Sequence, residues 1–307
     1  MIAGLIGLLL LCGMVRFSPV FAINDAADKI AITMSPTKQR LELEPGKTIT
    51  SEVVVMNDGT LGSQIRVYAT PYQVQPDYSA NNFETDNQWT QITRWITFGP
   101  ENQTELILNL PASARETVQF TVKVPTSVPF GGQYAAIMAE TMKNDTGSGV
   151  QAIHRVASLV YSEVAGNTIK QGDVISRDWR GWYQESTITT SLMLKNSGNV
   201  DFAADNTLII KDLISGKVIC EEKPNAATLL PETERKIELN CDVAAAVGLY
   251  NVTQQSSFFD QIIEETRVVL VMPIYIIVLI LVVIAVLVTL LIIMIKNKLR
   301  KRKGRTT

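Results

Sequence analysis

One segment of the sequence is uninterruptedly apolar, and it restricts what the rest of the chain can be. No residue from 274 to 295 is charged, and only Tyr275 and Thr289 are polar. At about 1.5 Å per residue, a helix of this length spans about 30 Å, the thickness of a bilayer's hydrocarbon core. A helix of a soluble domain would show a polar face with a period of about 3.6 residues, and this segment has none. The segment predicts one transmembrane helix over residues 273–295.

The flanks of the chain predict how this helix is oriented. Seven of the residues between 296 and 305 are Lys or Arg, and none is acidic. Because short basic flanks stay in the cytoplasm, we expect residues 296–307 to be a cytoplasmic tail. The apolar run at 2–11, with small residues up to Ala22, predicts a signal peptide over 1–22. No base precedes that run, so its retention as an anchor is the alternative. We therefore expect a single-pass protein of the cell membrane with an extracellular ectodomain.

The charge of the predicted ectodomain argues against nucleic acid or anionic lipid as its main partner. Residues 23–272 hold all 30 acidic residues but only 20 of the 28 basic ones, a net charge of about −10. Nucleic acids and anionic lipid surfaces require a basic footprint on the protein that binds them. We therefore expect no nucleic-acid partner.

Apolar residues alternate with polar ones through most of this ectodomain. Short alternating runs are separated by turn residues such as Glu44-Pro45-Gly46 and Asn57-Asp58-Gly59, and no long stretch has helical spacing. This pattern predicts an all-β fold of antiparallel sandwiches.

A set of three motifs occurs twice in the same order, which predicts two tandem immunoglobulin-like domains over 23–163 and 164–272. The motifs are a strand followed by Asn-x-Gly, then Leu-Pro before a strand, then Gly-x-Tyr before a strand. They begin at Asn57, Leu110 and Gly132 in the first copy and at Asn196, Leu230 and Gly248 in the second. The Gly-x-Tyr step is typical of a tyrosine corner, in which the hydroxyl serves the fold.

Two aromatic segments are candidate partner-binding sites. The first copy contains a polar insertion from Gln73 to Gln91, with no clear strand of its own, that carries Tyr78, Phe83 and Trp89. Long loops in compact domains are often functional, so these three side chains are candidates. The second segment is Arg177–Tyr183, in which Trp179 and Trp182 have the composition of interface anchors. A cluster that seals the contact between the two domains would have the same composition.

The remaining chemistry of the sequence is sparse. Cys220 and Cys241 lie in one exported domain and predict a disulfide. Two cysteines and the single His154 are too few for a zinc site, and no spacing matches a calcium loop. No nucleophile, metalloprotease or phosphate-binding motif is present, so we expect neither an enzyme nor a cofactor or metal.

The layout resembles the WxL-interacting proteins of Gram-positive cell surfaces. The resemblance is carried by Ile32–Pro36, Leu43–Gly46, Val53–Asn57, Val122–Pro125 and Phe130–Tyr134. It implies a surface scaffold whose domains bind cell-wall polymer, surface proteins or host ligands. Pilus chaperones share the opening strand, Pro-Gly turn, strand and Asn. Thr37-Lys38-Gln39 stands where the family usually has an Asn-Gln pair, so no binding residues are carried over.

The sequence thus predicts a membrane-anchored binding or scaffold protein that holds an extracellular partner through its first domain. That partner would be a surface protein, a cell-wall polymer or a host ligand. The alternative is a membrane-tethered, pilus-chaperone-like protein that assists secreted subunits. A signalling receptor is disfavoured because the predicted tail is too short to fold.

Overall fold

The computed structural model describes residues 29–75, 80–142, 152–243 and 247–303, with side chains as far as residue 297. Within these residues the chain forms β-sandwiches followed by one C-terminal helix, which confirms the predicted fold class. The predicted signal peptide and Tyr78 lie outside the described residues.

The first sandwich contains a four-stranded sheet in the order β1-β3-β9-β7 and a five-stranded sheet in the order β2-β11-β10-β4-β8. A short hairpin, β5-β6, and one turn of 3₁₀ helix at Gln91–Arg94 lie between β4 and β7. The strands are β1 (Ile32–Ser35), β2 (Lys38–Leu43), β3 (Thr48–Asn57), β4 (Ser63–Pro71), β5 (Gln73–Val74), β6 (Asn81–Asn82), β7 (Ile96–Phe98), β8 (Glu105–Leu110), β9 (Arg115–Lys123), β10 (Gly131–Thr141) and β11 (Arg155–Val164).

The second sandwich contains a three-stranded sheet in the order β12-β14-β18 and a larger sheet in the order β13-β20-β19-β15-β16, with β17 also paired to β15. The strands are β12 (Gly172–Asp178), β13 (Trp182–Tyr183), β14 (Thr187–Asn196), β15 (Phe202–Asp212), β16 (Val218–Glu222), β17 (Ala227–Leu229), β18 (Glu234–Asp242), β19 (Gly248–Phe258) and β20 (Gln261–Val271).

Both sandwiches use the same path for their first strand. In the first, β1 pairs antiparallel with β3, and the chain then crosses to the other sheet, where β2 runs parallel to the last strand, β11. In the second, β12 pairs antiparallel with β14, and β13 then runs parallel to the last strand, β20. The repeat seen in the sequence is therefore a repeat of strand topology.

The alternating apolar residues of the strands form the cores of the sandwiches. Val53 and Val55 of β3, and Val118 and Phe120 of the adjacent strand β9, lie in the first core, and all four are buried. Strand β10 departs from this pattern because every residue from Gly131 to Ala139 is buried. One face of β10 lies on the core of the first sandwich, and the other lies under an aromatic cluster described below.

The buried Asn of each copy explains why the first two motifs occur together. The Nδ2 of Asn57 donates to the carbonyls of Leu61 (2.8 Å) and Pro111 (3.1 Å), and its Oδ1 accepts from the amide of Gly59. In the second copy, Asn196 bonds Val200 (2.8 Å) and Leu229 (3.1 Å) in the same way. Each Asn therefore ties its own turn to the Leu-Pro segment of its sandwich.

The C-terminal helix, α1 (Ile274–Lys303), begins after Met272 and Pro273, the two residues between it and β20. It is long and apolar enough to cross a membrane, and its apolar segment is not buried against the rest of the protein. The helix continues eight residues beyond the predicted end at 295. Lys and Arg are good helix formers, so the basic flank can extend the helix after the apolar segment ends.

Candidate functional site

The two sandwiches meet where a motif of one copy contacts a motif of the other. The turn that follows Asn196 in the second copy lies against the Gly-x-Tyr step of the first. The carbonyl of Asn199 accepts from the amide of Gly132 (2.7 Å). The amide of Asp201 donates to the hydroxyl of Tyr134 (2.9 Å), and that hydroxyl donates to Asp201 Oδ1 (3.1 Å). We call this set of bonds the interdomain contact.

The interdomain contact also contains a buried carboxylate with a charged partner. Both oxygens of Asp201 accept from the guanidinium of Arg40 on β2, and the Asp201 side chain is almost fully buried. Burial and the nearby Asp201 carboxylate raise the pKa of Tyr134 well above its ordinary value. A tyrosine hydroxyl is protonated at neutral pH in any case, and the raised pKa keeps this one a donor into more alkaline solution. The tyrosine predicted to serve its own domain as a tyrosine corner instead bonds the neighbouring domain.

An aromatic cluster covers the outer face of β10 next to this contact. Its ring centroids lie 5.5 to 5.9 Å apart for Tyr134–Tyr161, Tyr72–Tyr161 and Tyr72–Phe83. Trp89 packs against the cluster, and Leu230 of the second sandwich is buried in it. The aromatic cluster therefore joins side chains from both sandwiches.

The insertion at Gln73–Gln91 is part of this packing. Phe83 and Trp89 are half-buried, and the Trp89 indole N–H lies 3.4 Å from Glu232 Oε2 in the second sandwich. Buried Gln133 of β10 holds the end of the insertion by bonding the carbonyl of Gln88 (2.8 Å) and the amide of Ile92 (3.2 Å). The sequence predicts an insertion without strands that is free to bind a partner. The structure shows β5, β6 and a 3₁₀ turn, with two of its aromatic residues packed inward.

The second candidate segment lies elsewhere. Trp179 is buried in the core of the second sandwich, and the guanidinium carbon of Arg267 lies 5.1 Å from its ring centroid. Trp182 is half-buried, and its indole N–H donates to the carbonyl of Met272 (2.8 Å). Both line a polar cavity of about 680 Å³ together with hydroxyl side chains of β14 and charged ones of β18. The structure does not bring Trp179 and Trp182 together with Phe83 and Trp89.

Cys220 and Cys241 form a disulfide in the structure, with their Cα atoms 6.1 Å apart. Cys220 belongs to β16, the outer strand of the larger sheet, and Cys241 belongs to β18 of the opposite sheet. The bond therefore ties the two sheets of the second sandwich together.

A further feature, which the sequence analysis missed, is an open strand edge in the first sandwich. Strand β11 pairs with β10 along its whole length, but β2 covers only Leu159–Val164 on the other side. Within the described residues no strand pairs with residues 155–158 on that side. The amide of Leu159 points to this side, where it donates to Thr37 (2.9 Å). Because backbone groups alternate along a strand, those of Arg155 and Ala157 face the same side.

No family model matches this chain, and no curated protein matches it. Solved structures with a similar fold include a chaperone–tip adhesin complex of CFA/I fimbriae biogenesis (TM-score 0.40, 15% identity, 79% of this chain and 99% of the other). The class 5 fimbriae chaperone CfaA has a TM-score of 0.39 and 14% identity, over 78% of this chain and 99% of the other. The CsuC–CsuE pre-assembly complex of archaic Csu pili of Acinetobacter baumannii has a TM-score of 0.36 and 12% identity, over 67% of this chain and 89% of the other.

Proposed function

We propose that this chain is a membrane-tethered protein that holds a secreted protein by strand pairing along residues 155–158 of β11. The observation that carries this proposal is the half-open edge of β11. An extended segment added to such an edge gains main-chain hydrogen bonds, and pockets beside the edge select its side chains. This is the pilus-chaperone-like alternative rather than recognition through the insertion.

The surroundings of the open edge support this proposal. Ile153, two residues before β11, is 48% exposed. The Arg155 side chain is held by Glu140 (2.7 Å) on β10, so it does not block the edge. An incoming strand would therefore meet backbone groups that pair with no strand in the described part of the chain, and the apolar side chain of Ile153 just before them.

Three of the other outer strands offer less to a partner strand. In the second sandwich, β12 contains a register shift, as does the pairing of β15 with β16, and bulges of this kind hinder further pairing. Strand β2 carries Lys38, Arg40 and Glu42, and charged edge residues have the same effect. Strand β8 is the competing candidate because its outer side is unpaired in the described part of the chain.

The two edges can be distinguished with matched substitutions. Ile153 beside β11 and Ile107 on β8 are each 48% exposed. A Lys at either position therefore adds one charge to one edge, with a similar effect on the stability of the fold. Full-length protein with a C-terminal tag would be purified from its own membranes, and the captured secreted proteins identified by mass spectrometry. We expect Ile153→Lys to lower capture about tenfold, equivalent to about 1.4 kcal/mol, and Ile107→Lys to leave it unchanged.

Hydrogen exchange on the captured complex locates the contact directly. We expect slower exchange of the amides of Arg155 and Ala157 when the partner is bound. The opposite ranking of the two Lys variants would move the site to β8. Slower exchange at 80–91 alone would return the binding role to the insertion.

The second candidate function is a surface scaffold of the WxL-interacting kind that binds a cell-wall polymer. The cavity beside Trp179 and Trp182 favours it, since aromatic, hydroxyl and carboxylate side chains together suit a saccharide. In the same exchange experiment, addition of purified cell-wall polysaccharide would then slow exchange over residues 178–191 and not over 155–158.

A further inference from the structure

The end of the second sandwich from which the helix leaves carries an exposed apolar surface. Ile214 is 92% exposed at the turn between β15 and β16, and Leu213 beside it is also exposed. Val247 and Leu249, at the start of β19, are exposed as well. We call these four side chains the apolar end.

Strand register places the apolar end at the level of the last residue before the helix. The amide of Leu213 donates to the carbonyl of Leu249 (3.0 Å), and Leu249 pairs with Leu270 of β20. Val271, the next residue, closes β20. The apolar end and the exit of the chain are therefore on the same end of one sheet.

The connection to the helix is too short to hold this end away from a membrane. Three Cα steps separate Val271 from Ile274, which limits the gap to about 11 Å. The apolar segment of the helix needs its whole length to cross a hydrocarbon core of about 30 Å, and the headgroup layer on each side adds about 5–8 Å. The end of the sheet must therefore lie at the headgroup layer.

The turn that presents Ile214 is well ordered by its own hydrogen bonds. Asp212 Oδ1 accepts from the amides of Ile214 (3.2 Å) and Ser215 (2.7 Å), and the amide of Gly216 donates to the carbonyl of Asp212 (2.9 Å). These bonds hold Ile214 outward instead of letting it fold onto the sheet. Exposed Lys211 and Lys217 flank the turn, at the positions where they would meet lipid phosphates.

We infer that the apolar end is a membrane-docking surface, with Ile214 inserted into the interface of the same bilayer that α1 crosses. Apolar side chains of peripheral surfaces enter about 5–10 Å into the headgroup and acyl boundary. The half-buried Trp182 lies at the same end, bonded to Met272, and Trp is enriched at this depth of a membrane. The second sandwich would then be held against the bilayer at two places, the helix and the apolar end.

The same sheet provides a matched control for the test. Ile262 is 64% exposed at the β19–β20 hairpin, about 30 Å away along β20 from Val271. In a Cys12→Ser background, Ile214→Cys and Ile262→Cys would each be labelled with a nitroxide, while Cys220 and Cys241 remain in their disulfide. Full-length protein would be placed at one chain per nanodisc, in phosphatidylcholine with a minority of phosphatidylglycerol.

The measurement is the accessibility of each label to oxygen, which concentrates in lipid, and to a water-soluble nickel chelate. We expect the ratio to shift towards oxygen at 214 relative to 262. Equal ratios at the two positions would overturn the inference. A label at 214 shielded from both reagents would also overturn it, since protein rather than lipid would then cover Ile214.

Discussion

A few buried polar side chains hold the two sandwiches together at the interdomain contact. Asp201 accepts from Arg40 and Tyr134, and it sits in the turn that Asn196 anchors. A buried carboxylate is stable only when it is paired and hydrogen-bonded, so these groups depend on one another. Removing one hydrogen-bonding group from the interdomain contact therefore leaves a buried polar partner unpaired, a cost that an apolar interface does not have.

We predict that Tyr134→Phe destabilises the protein by about 1–3 kcal/mol, because the amide and carboxylate of Asp201 lose a buried partner while the ring packing remains. Tyr250→Phe is the matched control. Tyr250 occupies the same motif position and is also buried, but its hydroxyl has no hydrogen-bond partner among the described residues. Urea unfolding of the full chain in detergent would measure both variants. Equal losses in the two variants would show that the interdomain bonds add nothing.

The glycines of the two Gly-x-Tyr motifs, Gly132 and Gly248, leave room for the tyrosine side chains. A Cβ on Gly132 would lie 2.0 Å from the Tyr134 hydroxyl, and one on Gly248 would lie 2.6 Å from the Tyr250 hydroxyl. In both copies the Tyr ring folds back over the Gly two residues earlier on the same face of the strand. The Gly-x-Tyr spacing is thus a packing requirement, and it could be recognised in the sequence without knowing where the hydroxyl points.

Strand β16 is an outer strand that a covalent bond fastens to the opposite sheet. It is five residues long, forms the outer edge of its sheet and pairs with β15 across a register shift. The disulfide from Cys220 connects it to β18, and Ile210, which pairs with Cys220, is close in sequence to the turn carrying Ile214. The disulfide therefore also supports the apolar end.

We predict that Cys220→Ser with Cys241→Ser lowers stability by about 3 kcal/mol, the loop-closure value for a loop of this length. The cysteines are 21 positions apart. Mapping of non-reduced peptides from the exported protein should find the two joined, and thermal unfolding would give the loss. Recovery of both cysteines as freely alkylated thiols would contradict the bond.

At the level of the whole molecule, the helix and its basic flank predict the direction of the chain across the membrane. The prediction rests on the seven Lys and Arg residues between 296 and 305, which directly follow the apolar segment. An ectodomain outside the cell is required by both proposed functions, since each binds an extracellular partner.

We expect protease added to intact cells to remove the ectodomain and leave a C-terminal tag intact, because the tag would lie in the cytoplasm. The same protease should digest the tag once the cells are permeabilised, which controls for the tag's own susceptibility. Digestion of the tag in intact cells would reverse the predicted topology.

Local patterns in the sequence were sufficient for the fold class, the helix and the duplication. An apolar run of bilayer length and an alternation of period two both follow from neighbouring residues, so they are visible without tertiary contacts. The repeated Asn, Leu-Pro and Gly-x-Tyr motifs were visible for a similar reason, since each copy preserves the same bonds. The parallel pairing of β2 with β11 joins segments that are far apart in the chain. Patterns among neighbouring residues therefore could not predict it.

The candidate surfaces depended on contacts between residues far apart in the chain. Trp89 was recognisable as an unusual aromatic residue, but Glu232, 143 positions away, lies beside its indole and turns it towards the second sandwich. The open edge at 155–158 exists only because β2 is too short to cover β11. Ile214 becomes a candidate for membrane contact only because the register of β15, β19 and β20 brings it level with the start of the helix. Each of these depends on which distant segments become neighbours, and hydrophobic burial and backbone pairing settle that for the whole chain at once.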